Sequence, residues 1–217
     1  MQGCTLRWAI WLILLFLLNC VRPCQSLLTG MRTMRMMAGG PVRGDTLPKL
    51  LSLIEGTQRG VVGTPESKAE IIAVMDRIEE ANAVFIAKDR GFLQKCSGTW
   101  ELLWTTEKET LFFQRSGLLG SAVTLITQTI DAEAGLLNNL ISFENGRELS
   151  VTGAISADPA TKGRINFAFT KARLVVPPFD LGVPPVGKGW FQTVFVNDKF
   201  RLSRDVRGDY LVSRRLT

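Results

Sequence analysis

The chain has 217 residues, 46% of them hydrophobic, which is enough for one domain with a buried core and appended segments. Its formal net charge of +6 is concentrated at one end, because residues 1–44 contain five arginines and no acidic residue, whereas 21 basic and 20 acidic residues follow. The pI of about 9.4 therefore reflects residues 1–44, and this distribution does not support nucleic-acid binding by the folded domain that follows.

Histidine is absent from the chain, and cysteine is almost confined to its first residues. Without histidine there is no Ser/His/Asp or Cys/His nucleophile system, no histidine-ligated zinc and no histidine general base near neutral pH. Cys96 is the one cysteine after residue 24, so no internal disulfide is predicted for the mature domain, and an inert thiol is favoured over a redox role. We therefore expect no cofactor and no metal site.

Residues 1–44 are predicted to carry two targeting signals in series. The apolar run WAIWLILLFLL precedes a plausible cleavage site at Ser26, and it is shorter than the ~20 apolar residues that span a bilayer. Residues 27–44 bear arginines and no acid, as transit peptides do. We predict a signal peptide over 1–26 and a transit segment over 27–44, which together address a plastid lying inside the secretory system. An uncleaved signal anchor and plain secretion are the alternatives.

Residues 45–217 are predicted to form one domain that begins with two helices within residues 46–90. The first contains LPKLLSLIEG, whose leucines and isoleucine make an apolar face. The second has Thr64 as its N-cap, Pro65 at its first position and Gly91 as its stop. Each helix should cover an apolar surface with one face.

From Gly98 onward the sequence consists of short runs rich in Val, Ile, Thr and Phe, separated by Gly, Asn, Asp and Pro. Tight turns such as ENGRE at 144–148 connect successive runs as hairpins. Eight or nine such antiparallel strands can close into an up-and-down β-barrel, which we place at residues 98–216. The stretch VPPFDLGVPPVGKG, with four prolines, is predicted to be a loop or lid beside one mouth. The predicted strands are 99–106, 110–115, 122–131, 135–144, 148–157, 163–176, 190–197, 199–204 and 209–215.

The first predicted strand, GTWELLWTTEKE, carries two tryptophans four residues apart. Side chains alternate between the two faces of an extended strand, so Trp100 and Trp104 are predicted to share one face. That face either fills a core or lines a pocket.

Several stretches of the sequence resemble the plastid-lipid-associated protein family, also called plastid fibrillins. Gly98-Thr99-Trp100 matches the Gly-x-Trp opening of lipocalin-like barrels. More specific are LLSLIEGTQRG at 50–60, GTWELLWTTEKETLFF, QTIDAEAGLLNNLISF and PPVGKGWFQTVFVNDKFRLSRDVRGDYLVSRR. The resemblance implies a lipocalin-like barrel preceded by helices, located in plastids and associated with thylakoids or plastoglobules. It implies the binding or organisation of prenyl lipids and carotenoids, and it supplies no catalytic motif.

The resemblance also implies that Trp100 packs at the closed end of the barrel, with Arg214 or Arg215 stacked over its indole. Gly208, within Arg207-Gly208-Asp209, is predicted to occupy a turn rather than an integrin motif. Further side chains are predicted to contact a ligand: Trp104, Asn139, Phe143, Phe167, Phe169, Trp190 and Phe195. The alternative is hydrogen bonding at strand ends for Asn139 and packing of the barrel interior for the others. Asn139 is distinctive because a buried amide needs hydrogen-bond partners.

We therefore predict a mainly β protein that binds or organises apolar plastid lipids without catalysis. Peripheral attachment to a membrane or plastoglobule would rely on apolar residues of the 177–186 segment or of the helices. The alternative is an accessory docking protein or shuttle for an enzyme of prenyl-lipid synthesis. A lipid-modifying enzyme would need a carboxylate, Lys or Tyr site in the barrel, and the carboxylates of this sequence show no spacing that indicates acid–base work.

Overall fold

The computed structural model describes residues 45–88, 91–185 and 187–216. The predicted signal peptide and transit segment lie outside the described residues. Helix α1 spans Thr46–Ile54 and helix α2 spans Pro65–Lys88, so both predicted helices are present. Thr64 caps α2 through its Oγ1 atom, which accepts a hydrogen bond of 3.2 Å from the backbone N–H of Ser67. A short helix α3, Phe92–Cys96, follows and was not predicted.

Nine strands and a fourth helix make up the rest of the described chain. The strands alternate in direction along the sheet, since every named pairing is antiparallel. The elements are β1 (Gly98–Thr105), α4 (Lys108–Ser116), β2 (Val123–Asp131), β3 (Leu136–Phe143), β4 (Glu148–Ala157), β5 (Arg164–Val176), β6 (Phe179–Val183), β7 (Lys188–Val196), β8 (Phe200–Asp205) and β9 (Tyr210–Leu216).

The sheet closes into a barrel. Its strand order is β4-β3-β2-β1-β9-β8-β7-β5, and an additional pairing between β4 and β5 joins the two ends. Closure pairs the two end strands of the ring with each other and so removes two long exposed edges, which stabilises an antiparallel meander of this length as a barrel. The predicted fold, an antiparallel lipocalin-like barrel preceded by two helices, is confirmed.

Part of the proline-bearing stretch after β5 is a short edge strand, β6, and not a loop. Strand β6 pairs with residues 172–176 of β5, while residues 164–168 of the same strand pair with β7. The prolines at 177–178 and 184–185 lie just outside β6, where no ladder N–H is required. The prediction of a loop or lid here is therefore wrong for the five residues of β6.

The strand predicted at 110–115 is helix α4. Leu111 and Phe113 are its buried residues, and the helix ends at Gly117, whose φ is +63°. The short run TLFFQR has no clear alternation. Packing of α4 against the barrel therefore outweighed the β-propensity of its aromatic residues.

The Asn-Gly hairpin turn, by contrast, is confirmed, because Asn145 and Gly146 both have positive φ, 59° and 67°.

Helices α1 and α2 pack on the outside of the barrel. Their buried residues Leu50, Val74 and Met75 join Leu202 and Val212 of the barrel in one hydrophobic cluster. Two further clusters lie elsewhere, one involving α3 and one involving α4. Within residues 45–88, 91–185 and 187–216, no helix combines the length and apolarity that crossing a membrane requires.

Candidate functional site: the interior of the barrel

The strand registers identify the inner face of the barrel. Directly paired residues of an antiparallel sheet lie on the same face, and Trp100 pairs with Gln128, Gln128 with Asn139, Asn139 with Val151 and Val151 with Ala172. This face is the inner one, because strands β1, β3, β5 and β7 contribute to one packed cluster that contains Trp100. Strands so far apart around the ring can meet only inside it.

Trp104 lies on the opposite face from Trp100. The pairing of β1 with β9 shifts between Leu102 and Trp104, so that Leu102 pairs with Ser213 and Trp104 with Val212. This bulge inserts one residue and reverses the alternation of β1. The prediction that the two tryptophans share a face is therefore wrong. Trp104 is completely buried in the cluster that joins the barrel to α1 and α2.

One end of the barrel is plugged around Trp100. Its indole Nε1 donates a 2.8 Å hydrogen bond to the carbonyl oxygen of Cys96, the last residue of α3. The guanidinium carbon of Arg215 lies 4.1 Å from the centre of the indole ring. Arg215 also donates to the carbonyl oxygens of Lys95 and Asp198 at 2.9 and 3.0 Å, so it ties α3 to the turn between β7 and β8.

Gly98 makes the approach of Arg215 sterically feasible. Its φ is +129°, and a Cβ atom at this position would collide with Nη1 of Arg215. Of the two arginines predicted to stack over the Trp100 indole, Arg215 does so and Arg214 does not. The side chain of Arg214 faces outward, where its Nη2 lies 2.6 Å from a carboxylate oxygen of Glu101.

The other end of the barrel is covered by α4. Phe113 of α4 packs edge-to-face on Phe143 of β3, with ring centres 6.0 Å apart. Both residues belong to a cluster that includes Leu118, Leu174 and Val183 of β6. Phe143 is therefore an inward residue at the α4 end, where it packs against a helix that the sequence did not predict.

Between the two ends lies a polar group of three side chains from β2, β3 and β8. Gln128 Nε2 donates a 2.9 Å hydrogen bond to Asn139 Oδ1, and Arg201 Nη2 donates to Gln128 Oε1. Arg201 is 1% exposed. Burial lowers the pKa of its guanidinium to about 10, with the Cys96 thiol opposing and Arg215 adding to that effect.

Apolar side chains continue from this group along the interior. The ring of Phe191 lies 5.4 Å from the guanidinium carbon of Arg201 and 6.3 Å from the ring of Phe167, measured to the ring centres. Phe167 and Phe169 are 4.9 Å apart. Both remain half-buried although they point inward, so part of their surface is still accessible.

The structure brings together four of the seven residues predicted to contact a ligand. Asn139, Phe143, Phe167 and Phe169 lie on the inner face. The other three lie on the outer face: Trp104, Trp190 and Phe195. The guanidinium of Arg164 stacks on Trp190 with 3.8 Å between its carbon and the ring centre.

Phe195 turns outward because of a second bulge. The register of β7 against β8 shifts between Thr193 and Phe195, and Phe195 then packs against the cluster beneath the helices.

Gly208 occupies the turn between β8 and β9 with φ +84°, and its N–H donates a 3.0 Å hydrogen bond to the carbonyl oxygen of Asp205.

Sequence reasoning missed Arg201 and Gln128. In β8 the apolar residues Phe200 and Leu202 face outward beneath α1 and α2, and Arg201, which lies between them, faces inward. The alternation of β8 was a usable signal for two distinct faces. It did not say which face was the inner one, because the outer face of this barrel is also covered.

A closed antiparallel barrel with a Gly-x-Trp first strand, whose tryptophan is covered by an arginine at one end, is a lipocalin-like barrel. Its interior is the candidate site. The chain belongs to the PAP_fibrillin family, whose sequence profile matches residues 45–213. It is 37% identical over 167 residues to the probable plastid-lipid-associated protein 11, chloroplastic, of Arabidopsis thaliana, covering 76% of each chain. It is 25% identical over 193 residues to the plastid-lipid-associated protein 6, chloroplastic, of the same plant, covering 76% of this chain and 67% of the relative. No solved structure matches it significantly.

Proposed function

We propose that this protein binds apolar plastid lipids, such as prenylquinones or carotenoids, inside its barrel and does so without catalysis. The observation that carries the proposal is the pair of adjacent phenylalanines, Phe167 and Phe169, which point inward from β5 and are only half-buried. The names of the two relatives, both plastid-lipid-associated and chloroplastic, support an association with plastid lipids and a plastid location.

The binding would be driven by removal of apolar surface from water. Each Å² of apolar ligand surface that enters the barrel contributes about 25 cal/mol. A barrel of about eight strands has room for its own side chains or for one small ligand. Inward side chains that are only half-buried favour the second case; they include Ile141 and Val151 in the cluster at the α4 end and Phe167 and Phe169 in the cluster around Trp100.

Peripheral attachment to a thylakoid or plastoglobule surface would use the α4 end of the barrel. Phe112, Leu119 and Phe179 are 41%, 38% and 52% exposed. Phe112 and Leu119 adjoin Phe113 and Leu118 in sequence, and Phe179 pairs with Val176, so all three surround the cluster at this end. Exposed large apolar side chains grouped at one end of a domain are typical of a surface that enters a lipid interface.

The test is co-purification of lipid. The full chain is incubated with a plastid lipid extract, re-isolated, extracted with organic solvent and examined by mass spectrometry. We expect a prenylquinone or carotenoid at up to about one molecule per chain. Val151→Phe adds bulk inside the barrel and should reduce recovery several-fold. Ala154→Phe places the same side chain, with an even larger gain in volume, on the outer face of the same strand and should not reduce recovery. Absence of lipid, or equal recovery with Val151→Phe, would contradict the proposal.

The second candidate is an accessory protein that docks on an enzyme of prenyl-lipid synthesis. It is favoured by Val84 and Phe85 near the end of α2, which are 65% and 64% exposed and lie on the helical layer outside the barrel. A docking protein of this kind would keep its partner enzyme when Val151→Phe blocks the interior and would lose it with Val84→Ser. A lipid-binding protein would lose its lipid with Val151→Phe and keep it with Val84→Ser.

A further inference from the structure

A positive charge is buried inside the barrel at Arg201. Its side chain points inward from β8, on the face of Ser203 and Ser213, and is 1% exposed. An ionised side chain taken out of water loses its hydration, and proteins compensate such charges with a partner of opposite sign or with hydrogen bonds. The partners of Arg201 therefore decide what the site is able to bind.

The guanidinium is only partly satisfied by the described residues. It carries five N–H groups on three nitrogens. Nη2 donates to Gln128 Oε1, whereas Nε and Nη1 are buried and meet no acceptor within residues 45–88, 91–185 and 187–216. Gln128 is itself held by Asn139 at 2.9 Å. The three side chains thus orient the guanidinium across the barrel and leave donors on it free.

No anion balances the charge of Arg201 in the described part of the chain. The ionisable groups that influence it are the Cys96 thiol and the guanidinium of Arg215, which is a second cation. Its other near neighbours are the rings of Trp100 and Phe191, each centred 5.4 Å from its guanidinium carbon. The interior is therefore electropositive at this point.

An apolar path leads away from this charge. Phe191 contacts Arg201, Phe167 lies 6.3 Å from Phe191 and Phe169 lies 4.9 Å from Phe167, measured between ring centres. A positive donor group at one end of a path of aromatic rings matches a molecule with an acidic head and a hydrocarbon tail.

We infer that Arg201, held by Gln128 and Asn139, binds the carboxylate of an amphipathic lipid whose hydrocarbon chain lies along Phe191, Phe167 and Phe169. The inference rests on the proposed function, in which the barrel holds a lipid, and it adds a lipid with an acidic head group to the neutral prenylquinones and carotenoids named there. A carboxylate satisfies free donors of Arg201 through charge-assisted hydrogen bonds and neutralises its buried charge. A neutral carbonyl accepts a hydrogen bond but leaves the charge unbalanced, and a hydrocarbon does neither.

The experiment compares three ligands of nearly equal length: oleate, methyl oleate and 1-octadecene. Each displaces Nile red, a neutral fluorescent probe, from the full chain, and the displacement yields the Kd. We expect oleate to bind at least tenfold more tightly than methyl oleate. Arg201→Met should bring that ratio to about one, and Arg201→Lys should retain part of it because the charge is kept. Arg214→Met, on the outward face of the neighbouring strand, is the matched control and should keep the full ratio.

The outcomes separate the two proposals. If Nile red and all three ligands fail to bind, the proposed function falls and the inference falls with it. If they bind and oleate shows no advantage over methyl oleate, the inference alone is overturned. The same conclusion follows if Arg201→Met and Arg214→Met lower the ratio equally. Should Arg201→Met fail to fold, judged by its circular dichroism, the ratio of the wild-type chain and the response of Arg201→Lys decide the question.

Discussion

Trp100 and Trp104 stand four residues apart in one strand and point to opposite sides of it. A bulge in the pairing of β1 with β9 separates them, so Trp100 faces the interior and Trp104 faces the helices. The two indoles are equally buried but belong to different layers of the protein. The consequence is that Trp104 joins α1 and α2 to the barrel, and Trp100 plugs the end that α3 closes.

Trp104→Ala is expected to destabilise the fold by about 3 to 5 kcal/mol, the usual cost of removing a buried tryptophan. The lost contacts are those with the buried residues of α1 and α2. Urea unfolding followed by fluorescence and circular dichroism measures the change, and Trp190→Ala, at a partly exposed outer position, is the control with a smaller expected effect. A Trp104→Ala chain of unchanged stability that lost lipid binding would contradict this assignment.

Gly98→Ala is expected to destabilise the protein more than Gly208→Ala. Both glycines have positive φ, +129° and +84°, but an added methyl group meets Arg215 at position 98 and nothing within 4 Å at position 208. The cost at Gly208 should be about 1 to 2 kcal/mol from conformation alone. In a double-mutant cycle, Arg215→Ala should relieve part of the excess at Gly98, since it removes the colliding guanidinium. Equal costs at the two glycines would refute the clash.

Glu107→Gln is expected to flatten part of the pH dependence of stability. Burial raises the pKa of Glu107 from 4.5 to about 7, and Asp205 and Asp209 add to this effect against the opposing influence of Thr110 and Arg207. Because the folded state holds the proton more tightly, the stabilising contribution is complete below pH 4.5 and disappears as the pH rises through 7.

The free energy of unfolding of the wild type, relative to Glu107→Gln, should therefore fall by up to about 3 kcal/mol between pH 4.5 and pH 8. Urea titrations of both chains across this range measure the difference. Glu133→Gln, in an exposed turn, is the control and should leave the wild-type profile unchanged. A difference that is constant with pH would show that Glu107 titrates normally in the folded state.

Phe112→Ser combined with Phe179→Ser is expected to lower binding to plastid-lipid vesicles several-fold, because both side chains are exposed at the α4 end of the barrel. Co-sedimentation with vesicles measures the bound fraction. Leu136→Ser is the matched control: this residue is 46% exposed, and its neighbour Leu137 belongs to the cluster at the opposite end. If the control lowered binding as much as the pair, attachment through the α4 end would be disproved.

Local signals located most elements correctly. The Asn145-Gly146 turn, the Thr64 cap and the strand alternation around Phe167 each depend on residues near in sequence, and each appears as expected. The failures share a different cause. Helix α4, with nine residues, and strand β6, with five, are short segments whose conformations depend on the barrel surfaces they contact, and runs this short carry too weak a pattern to oppose that influence.

The positions of the helices and of most strands followed from the sequence, because hydrophobic periodicity and turn chemistry are local properties. The family and its barrel fold followed from the resemblance of longer stretches. Which face of each strand lines the interior depends instead on contacts between segments distant in sequence. Bulges at Leu102 and Thr193 reverse the alternation of β1 and β7, and α1 and α2 cover an apolar outer surface. That is why Trp104 and Phe195 lie outside and Arg201 of β8 lies within.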